Sequence, residues 1–180
     1  MLCAKKFVEL DKAIHERLNF DCGEEELNHF IKQKAVRHMK ANISRTMVLP
    51  SLFKIKSPTT ENHKVSICAF YTITPSSISR QQLPEVQAKK LPHYPIPVFL
   101  LAQLAVNNQC HGTGLGKITL IKALEHLVAI NTHMRAYAVV VDCLTANAES
   151  FYRKFGFKTL GKQSGRTRLY LPMKQLEILF

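Results

Sequence analysis

The chain has 180 residues, 46% of them hydrophobic and 21% charged, and its formal net charge at pH 7 is +12. This length and composition predict one globular domain over residues 1–180. No segment approaches the roughly 20 apolar residues that span a bilayer, and the N-terminus lacks an apolar signal core, so we expect a cytoplasmic protein with no membrane partner. The positive charge favours a polyanionic partner: nucleic acid, an acidic protein or a phosphorylated cofactor.

The five cysteines are odd in number, widely scattered and without a Cys-x-x-Cys motif (Cys3, Cys22, Cys68, Cys110 and Cys143). This spacing indicates neither a zinc site nor a redox pair, so we expect no metal and buried thiols in a reducing compartment. Cys110 and His111 are adjacent, but neighbours in an extended segment point to opposite sides. That geometry disfavours a catalytic Cys–His pair.

The first half of the chain predicts one helix and three strands. Runs of strand-forming residues lie at 7–10, 46–49 and 65–73. Acidic residues followed by apolar residues at helical spacing predict a helix over 24–40. The polar, proline-containing segment 50–64 predicts a loop, and residues 74–80 predict turns.

The second half alternates strands and helices. Strands are predicted at 98–106, 137–142, 157–160 and 168–171, and helices at 84–90, from a glycine-rich turn to about 129, at 146–155 and from 172. This order, with hairpin-like pairing early and a strand–helix–strand unit in the middle, predicts a mixed α/β fold.

The glycine-rich turn reads His111-Gly112-Thr113-Gly114-Leu115-Gly116 and lies between a predicted strand and a predicted helix. Glycines let backbone N–H groups approach a phosphate, and the positive end of the helix dipole points at the same place. A Walker A loop does not fit, because His111 and Ile118 occupy two of its defining positions. A dinucleotide fingerprint does not fit either, because Lys117 replaces its third glycine. The turn therefore predicts a phosphate-bearing cofactor, with close helix packing as the alternative.

A second group of residues follows the strand predicted at 137–142. Tyr152 shares a helix face with Ala148, Phe151 and Phe155, a stripe that core packing alone could explain. If this helix lies next to the glycine turn, Tyr152 points toward the reactive end of the cofactor. A phenol is protonated at neutral pH and can give its proton to a leaving thiolate. Asn147 at the helix entrance is predicted to cap the helix or contact the cofactor.

These motifs resemble those of the GNAT acetyltransferases. The strand, the Gly-x-Gly-x-Gly turn and the helix resemble their acyl-coenzyme A site, and Asn-x-x-x-x-Tyr-x-x-x-Gly-Phe resembles their closing helix and strand. The resemblance implies an α/β fold with a mixed central sheet, a splayed strand at the acetyl-CoA site and flanking helices. It implies acetyl-CoA as co-substrate, Tyr152 as the catalytic acid and no metal. The implied cofactor-binding residues are Leu104, Ala105, Val106, His111, Gly112, Thr113, Gly114, Leu115, Gly116, Lys117, Asn147 and Phe155.

One position of the turn departs from the family pattern. The family's usual turn begins with Gln or Arg, and His111 holds that position if the turn is aligned on Gly114 and Gly116. In the alternative alignment, on Gly112 and Gly114, Gln109 holds it. We favour the first alignment because it places Gly116 at the helix entrance.

Other segments resemble the GNAT toxins of bacterial type II toxin–antitoxin modules. They are Phe20-Asp21-Cys22-Gly23, Leu27-Asn28, Tyr71-Thr72-Ile73, the proline-rich 91–98 and Leu104-Ala105-Val106. This resemblance implies acetylation of the α-amino group of an aminoacyl-tRNA, a ribbon–helix–helix antitoxin as partner and, as one assembly, a homodimer. The net charge, an independent observation, fits a tRNA substrate. The alternatives are a GNAT N-acetyltransferase acting on a protein or small-molecule amine, and a noncatalytic module that binds nucleic acid or an antitoxin.

Overall fold

A computed structural model describes residues 2–56 and 63–180. The chain divides into two compact units, the first made of Met1–Ile73 and Gln103–Ala123, the second of Thr74–Ala102 and Leu124–Phe180. Helices and strands alternate in both, which confirms the predicted mixed α/β class. No helix within the described residues is long and apolar enough to cross a membrane.

In the first unit, helices pack on antiparallel strands. Its elements are β1 (Val8–Glu9), β2 (His15–Glu16), α1 (Glu25–His29), a π-helical turn (Phe30–Lys34), α2 (Ala35–Lys40), β3 (Arg45–Lys56), most of β4 (His63–Ile78), the end of β5 (Ile96–Val106), a 3₁₀ turn (Asn108–Cys110) and the start of α4 (Leu115–Asn131). Strand β3 pairs antiparallel with β1 and β4, and β2 pairs parallel with β4. The core includes Phe20, Phe30 and Phe70, with the rings of Phe20 and Phe70 5.2 Å apart.

In the second unit, the remaining strands form a mixed sheet. Its elements are the end of β4, a 3₁₀ turn (Arg80–Gln82), α3 (Glu85–Ala88), the start of β5, the end of α4, β6 (Ala138–Cys143), α5 (Ala146–Arg153), β7 (Lys158–Gln163), β8 (Arg166–Pro172) and α6 (Met173–Leu176). Strand β6 runs parallel to β5 and antiparallel to β8, which pairs in turn with β7. The β5–β6 pairing covers Phe99 and Leu100 and then stops, although β6 continues to Cys143. This early end of pairing agrees with the expected splayed strand.

Two predicted irregular segments are strands instead. The loop predicted at 50–64 is wrong at both ends, because β3 continues to Lys56 and β4 begins at His63; residues 57–62 lie outside the described part. Register shifts on both sides of Pro50 accommodate the missing N–H of proline. The N-terminal segment pairs with β3 there: the N–H of Ala4 donates to the carbonyl of Pro50, and the N–H of Leu52 donates to the carbonyl of Leu2. The turns predicted at 74–80 are also wrong, because β4 runs on to Ile78, whose side chain is buried.

The helix predicted over 24–40 is confirmed in extent, but its middle turn is π-helical. The N–H of Ala35 donates to the carbonyl of Phe30, an i→i+5 bond. The wider turn brings Phe30, Ile31 and Ala35 together into the core. The pattern of apolar residues could not reveal this change of period, since it distinguishes buried from exposed positions and not the hydrogen-bond ladder.

Candidate functional site

The turn between β5 and α4 presents six consecutive backbone N–H groups, from Gly112 to Lys117. None of them has an acceptor within the described residues. Gly112 and Gly114 have φ values of +74° and +79°, in the left-handed region that favours glycine. Residues 111–114 are exposed, so a ligand can reach these N–H groups. Free N–H groups in series at the start of a 17-residue helix form an anion site.

Side-chain bonds hold this turn against the end of β5. The Nε2–H of His111 donates to the carbonyl of Val106 over 2.8 Å, and the hydroxyl of Thr113 donates to the carbonyl of Cys110 over 2.7 Å. A Cβ on Gly116 would lie 3.9 Å from Cγ2 of Val106, so the helix begins close to the strand. His111 therefore ties the turn to β5, whereas Gln109 lines a separate cleft of about 410 Å³ that contains none of residues 111–117.

The other residues of this unit that were predicted to bind the cofactor differ in burial. Ala105 is buried in the core, and its neighbours Leu104 and Val106 are half-buried. Leu115 is the first residue of α4 and is buried, while Lys117 is exposed. Gly116 is at the helix entrance, as predicted. Cys110 is buried and His111 is exposed.

Asp21 supports the turn from outside it, although no local pattern indicates a role for it. One of its carboxylate oxygens accepts from the N–H of Gly23 at 2.9 Å and from the amide of Asn28 at 2.8 Å. The other accepts from the amide of Asn108 at 3.1 Å, and the carbonyl of Asp21 accepts from the N–H of Asn108 at 2.8 Å. Asn108 opens the 3₁₀ turn that leads into the glycine turn. The motif Phe20-Asp21-Cys22-Gly23 was the available signal, but only the structure links it to Asn108.

Tyr152 lies on α5 in the second unit and is buried, with 8% of its surface exposed. Its ring packs against Phe151 at 5.3 Å and Phe157 at 5.4 Å between centroids. Burial, and to a smaller extent the nearby Cys143, raises the pKa of the phenol well above its usual value, so it stays protonated at neutral pH. Its hydroxyl has no hydrogen-bond partner among the described residues. The phenol of Tyr152 can therefore donate its proton without breaking a hydrogen bond to another described residue.

The start of α5 differs from the prediction. Thr145 is the N-cap, and its hydroxyl accepts from the N–H of Ala148 at 3.1 Å. The predicted capping by Asn147 is therefore wrong: this side chain is exposed at the second position of the helix. Threonine takes the cap because it stands directly before the first helical residue, where its hydroxyl reaches back to the free N–H groups. Phe155 is half-buried just beyond the helix end, 5.1 Å from the ring of Phe151.

Charged side chains fix α5 on the adjoining strands of its unit. Arg153 donates to Glu149 over 2.7 Å and to the hydroxyl of Thr159 on β7 over 2.7 Å. The bonds from Arg153 and from Thr167 on β8 lower the pKa of Glu149. Since α5 carries Tyr152, these bonds limit the movement of the phenol.

The free N–H groups of the glycine turn suit an anionic ligand, and the protonated phenol of Tyr152 suits a proton donor. Residues 99–176 match the acetyltransferase (GNAT) domain family. This segment, 78 of the 180 residues, is similar to GNAT acetyltransferase domains.

Two curated relatives match much of the chain. The probable toxin TacT of Sinorhizobium fredii (strain NBRC 101917 / NGR234) is 28% identical over 185 residues, which cover 98% of this chain and 96% of the relative. The tRNA-acetylating toxin of Mycobacterium tuberculosis (strain ATCC 25618 / H37Rv) is 27% identical over 140 residues, which cover 78% of this chain and 76% of that toxin.

Two solved structures have the same fold over nearly all of the chain. AtaT complexed with acetyl-methionyl-tRNAfMet has a TM-score of 0.83 and 27% identity, covering 97% of this chain and 98% of AtaT. AtaTR bound with acetyl-CoA has a TM-score of 0.80 and 28% identity, covering 97% of both chains.

Replacing Asp21 with alanine should weaken acetyl-CoA binding several-fold, because the 3₁₀ turn before the free N–H groups loses its side-chain anchor. The bonds to Asp21, that of Gly23 first, lower its pKa. Their contribution to stability is therefore present at pH values above the unfolded pKa of 3.8 and is lost as the pH falls through the lower folded pKa.

Calorimetric titration with acetyl-CoA measures the loss of affinity in Asp21→Ala, and thermal unfolding at several pH values measures the loss of stability. Asp11→Ala, which removes a comparable bond to Ala13, is the matched control; an equal loss of affinity in both variants would contradict the assignment.

Proposed function

We propose that this chain is a toxin that moves acetyl from acetyl-CoA to the α-amino group of an aminoacyl-tRNA and so blocks translation. The observation that carries the proposal is the run of unpaired N–H groups from Gly112 to Lys117, inside the segment that is similar to GNAT domains. The relatives supply the acceptor: one is named a tRNA-acetylating toxin, and another is solved with an acetylated aminoacyl-tRNA. The net charge of +12 supports a nucleic-acid substrate independently.

The proposed mechanism is direct transfer. The N–H groups of Gly112, Gly114, Gly116 and Lys117 bind the diphosphate of acetyl-CoA, with His111, Thr113 and Leu115 shaping the turn. Backbone groups of Leu104, Ala105 and Val106 hold the pantetheine arm and polarise the thioester carbonyl. Asn147 and Phe155 complete the contacts to coenzyme A. The exposed turn supports the diphosphate assignment, and the end of β5 just before the 3₁₀ turn supports the pantetheine assignment. The resemblance to GNAT acetyltransferases supports Asn147 and Phe155.

Tyr152 supplies the proton in this mechanism. The neutral α-amine attacks the thioester carbon, the new C–N bond forms, and the C–S bond breaks with its electron pair on sulfur. Tyr152 protonates the departing thiolate, the amine loses a proton to solvent, and the phenolate of Tyr152 regains a proton from solvent. An aminoacyl ester amine is less basic than lysine, so a larger fraction is neutral at physiological pH and a strong protein base is not needed.

Four further properties belong to the same proposal. The chain acts as one domain over 1–180 in the cytoplasm, is neutralised by a ribbon–helix–helix antitoxin and forms a homodimer. The toxin names of the relatives support the antitoxin. Size-exclusion chromatography with light scattering tests the homodimer, because a monomer at micromolar concentration contradicts it.

The direct experiment incubates the purified protein with radiolabelled acetyl-CoA and total charged tRNA, then hydrolyses the ester and identifies the labelled amino acid. The proposal expects label on the α-amine of an amino acid released from tRNA. Label on a protein or free amine instead of tRNA would favour the general N-acetyltransferase. No label, with no rise in melting temperature at saturating acetyl-CoA, would favour a noncatalytic binding module.

Transfer should weaken steeply with salt if tRNA is the acceptor. Lys and Arg contacts to phosphates release counterions, so we expect KM for charged tRNA to rise at least about tenfold between 50 and 200 mM salt. KM for acetyl-CoA should change far less, because backbone N–H groups hold its diphosphate at short range. Steady-state kinetics at both salt concentrations measure this; a salt-independent KM for tRNA contradicts a phosphate-dominated interface.

A further inference from the structure

Three cysteines that are far apart in sequence meet in the first unit. Cys3 lies in the N-terminal segment and bridges to Ser51 of β3, Cys68 lies in β4, and Cys110 ends the 3₁₀ turn before the glycine turn. Their sulfur atoms all lie within 4.8 Å of one another, and those of Cys3 and Cys110 are 4.0 Å apart. Among the described residues, this is the one group of three or more cysteine, histidine or acidic side chains with metal-site spacing.

The distances fit a metal better than they fit a disulfide. A tetrahedral zinc ion with Zn–S bonds of about 2.3 Å separates its thiolates by about 3.8 Å. The three sulfur atoms therefore need to move by about 1 Å or less to bind one ion, whereas a disulfide requires a separation of about 2.05 Å. A disulfide would also leave the third thiol without a function.

The surroundings suit a thiolate–metal centre with a small negative charge. Cys68 and Cys110 are buried in an apolar cluster with Leu49, Ala69 and Leu115. Three thiolates and one divalent cation carry a net charge of −1. Leu115, the first residue of α4, packs in the same cluster, so the positive N-terminal end of that helix lies close to the cysteines. Cys3 is only half-buried, which leaves a side on which water can complete a tetrahedron.

The two other cysteines, Cys22 and Cys143, lie apart from this cluster. Cys22 is buried alone, and its thiol donates to Asn28 over 3.3 Å. Cys143 is buried in β6 of the second unit. Neither belongs to a group with metal-site spacing among the described residues. Substituting either of them therefore controls for the loss of a buried thiol outside the cluster.

We propose that Cys3, Cys68 and Cys110 bind one thiophilic divalent ion of the Zn²⁺ type, with solvent as the fourth ligand. The ion ties the N-terminal segment, β4 and the 3₁₀ turn together, next to the start of α4. Soft thiolate donors favour Zn²⁺ over the oxygen-preferring Mg²⁺ and Ca²⁺. The site is independent of the proposed function, since no step of acetyl transfer uses these thiols.

The test is a Zn²⁺ titration of reduced, metal-stripped full-length protein against a chromophoric chelator, with no acetyl-CoA present. We expect one equivalent bound and a higher melting temperature with Zn²⁺ than without it. Cys3→Ser, a half-buried position near the N-terminus, should weaken the binding at least about a hundredfold and remove the thermal shift. Cys143→Ser should bind one equivalent like the unaltered chain.

Co²⁺ gives a second measurement that does not depend on the stability of any variant. Tetrahedral thiolate coordination produces intense visible bands and sulfur-to-cobalt charge transfer in the near ultraviolet, and Zn²⁺ should displace both. No Zn²⁺ uptake by the reduced protein, or equal uptake by Cys3→Ser, would overturn the proposal. A Cys3–Cys110 disulfide that forms in air would also overturn it, if the reduced protein then binds no Zn²⁺.

Discussion

Replacing Tyr152 with phenylalanine should lower the rate of acetyl transfer about a thousandfold while leaving the dissociation constant for acetyl-CoA nearly unchanged. The substitution removes one hydroxyl and keeps the ring that packs against Phe151 and Phe157. Because the hydroxyl has no partner among the described residues, its loss breaks no protein hydrogen bond. Without it, coenzyme A must leave as an unprotonated thiolate or take its proton from water.

The raised pKa of Tyr152 keeps the phenol in its protonated form at physiological pH, so the proton is available when the thiolate leaves. Proton transfer to the sulfur is part of the chemical step. Single-turnover kinetics with saturating acetyl-CoA isolate this step from binding and product release.

Tyr170→Phe is the matched control for this experiment. Tyr170 is also buried, but its hydroxyl donates to Gln87 Oε1 over 3.0 Å. We expect this variant to keep its turnover and to lose some stability, since half-buried Gln87 Oε1 loses one of its two tyrosine donors and keeps Tyr137. Near-normal turnover in Tyr152→Phe, or an equal loss in both variants, would remove Tyr152 from the role of catalytic acid.

Replacing Gly114 with valine should weaken acetyl-CoA binding about a hundredfold. Gly114 has a φ of +79°, and a β-branched residue is strained there whatever the space around it. To relieve the strain, the backbone must rotate, which turns neighbouring N–H groups away from the diphosphate. Two lost hydrogen bonds to a charged group, worth about 1.5 kcal/mol each, account for a change of this size.

Gly165→Val separates lost binding from general strain. Gly165 has a φ of +81° in the turn between β7 and β8, and a Cβ there would also meet nothing within 4 Å. The two variants should lose similar stability on heating, and only Gly114→Val should lose affinity in a calorimetric titration. If Gly165→Val lost affinity equally, or Gly114→Val bound normally, the N–H groups of this turn would not be the diphosphate site.

The parts of the site that could be predicted from sequence are those with a local backbone signature. Glycine at 112 and 114 indicates backbone conformations that other residues avoid, and the apolar period after Lys117 indicates a helix, so the turn was identifiable without tertiary information. The roles of Asn147 and Thr145 were harder to assign, because both can cap a helix and a shift of two residues decides between them. Strand ends were harder still. Segment 50–56 became a strand by pairing with β4, and segment 74–78 extends β4 to Ile78; neither is contained in a local pattern.

By itself, the sequence determined the mixed α/β class, the N–H turn at 112–117 and Tyr152 as the proton donor to test, since each depends on local conformation or on the chemistry of one side chain. Tertiary structure alone decided that Asp21 anchors Asn108 and that Cys3, Cys68 and Cys110 converge. The physical reason is distance along the chain: Cys3 and Cys110 are 107 residues apart, and only the pairing of β3 and β4 and the packing of the 3₁₀ turn bring their sulfur atoms to 4.0 Å.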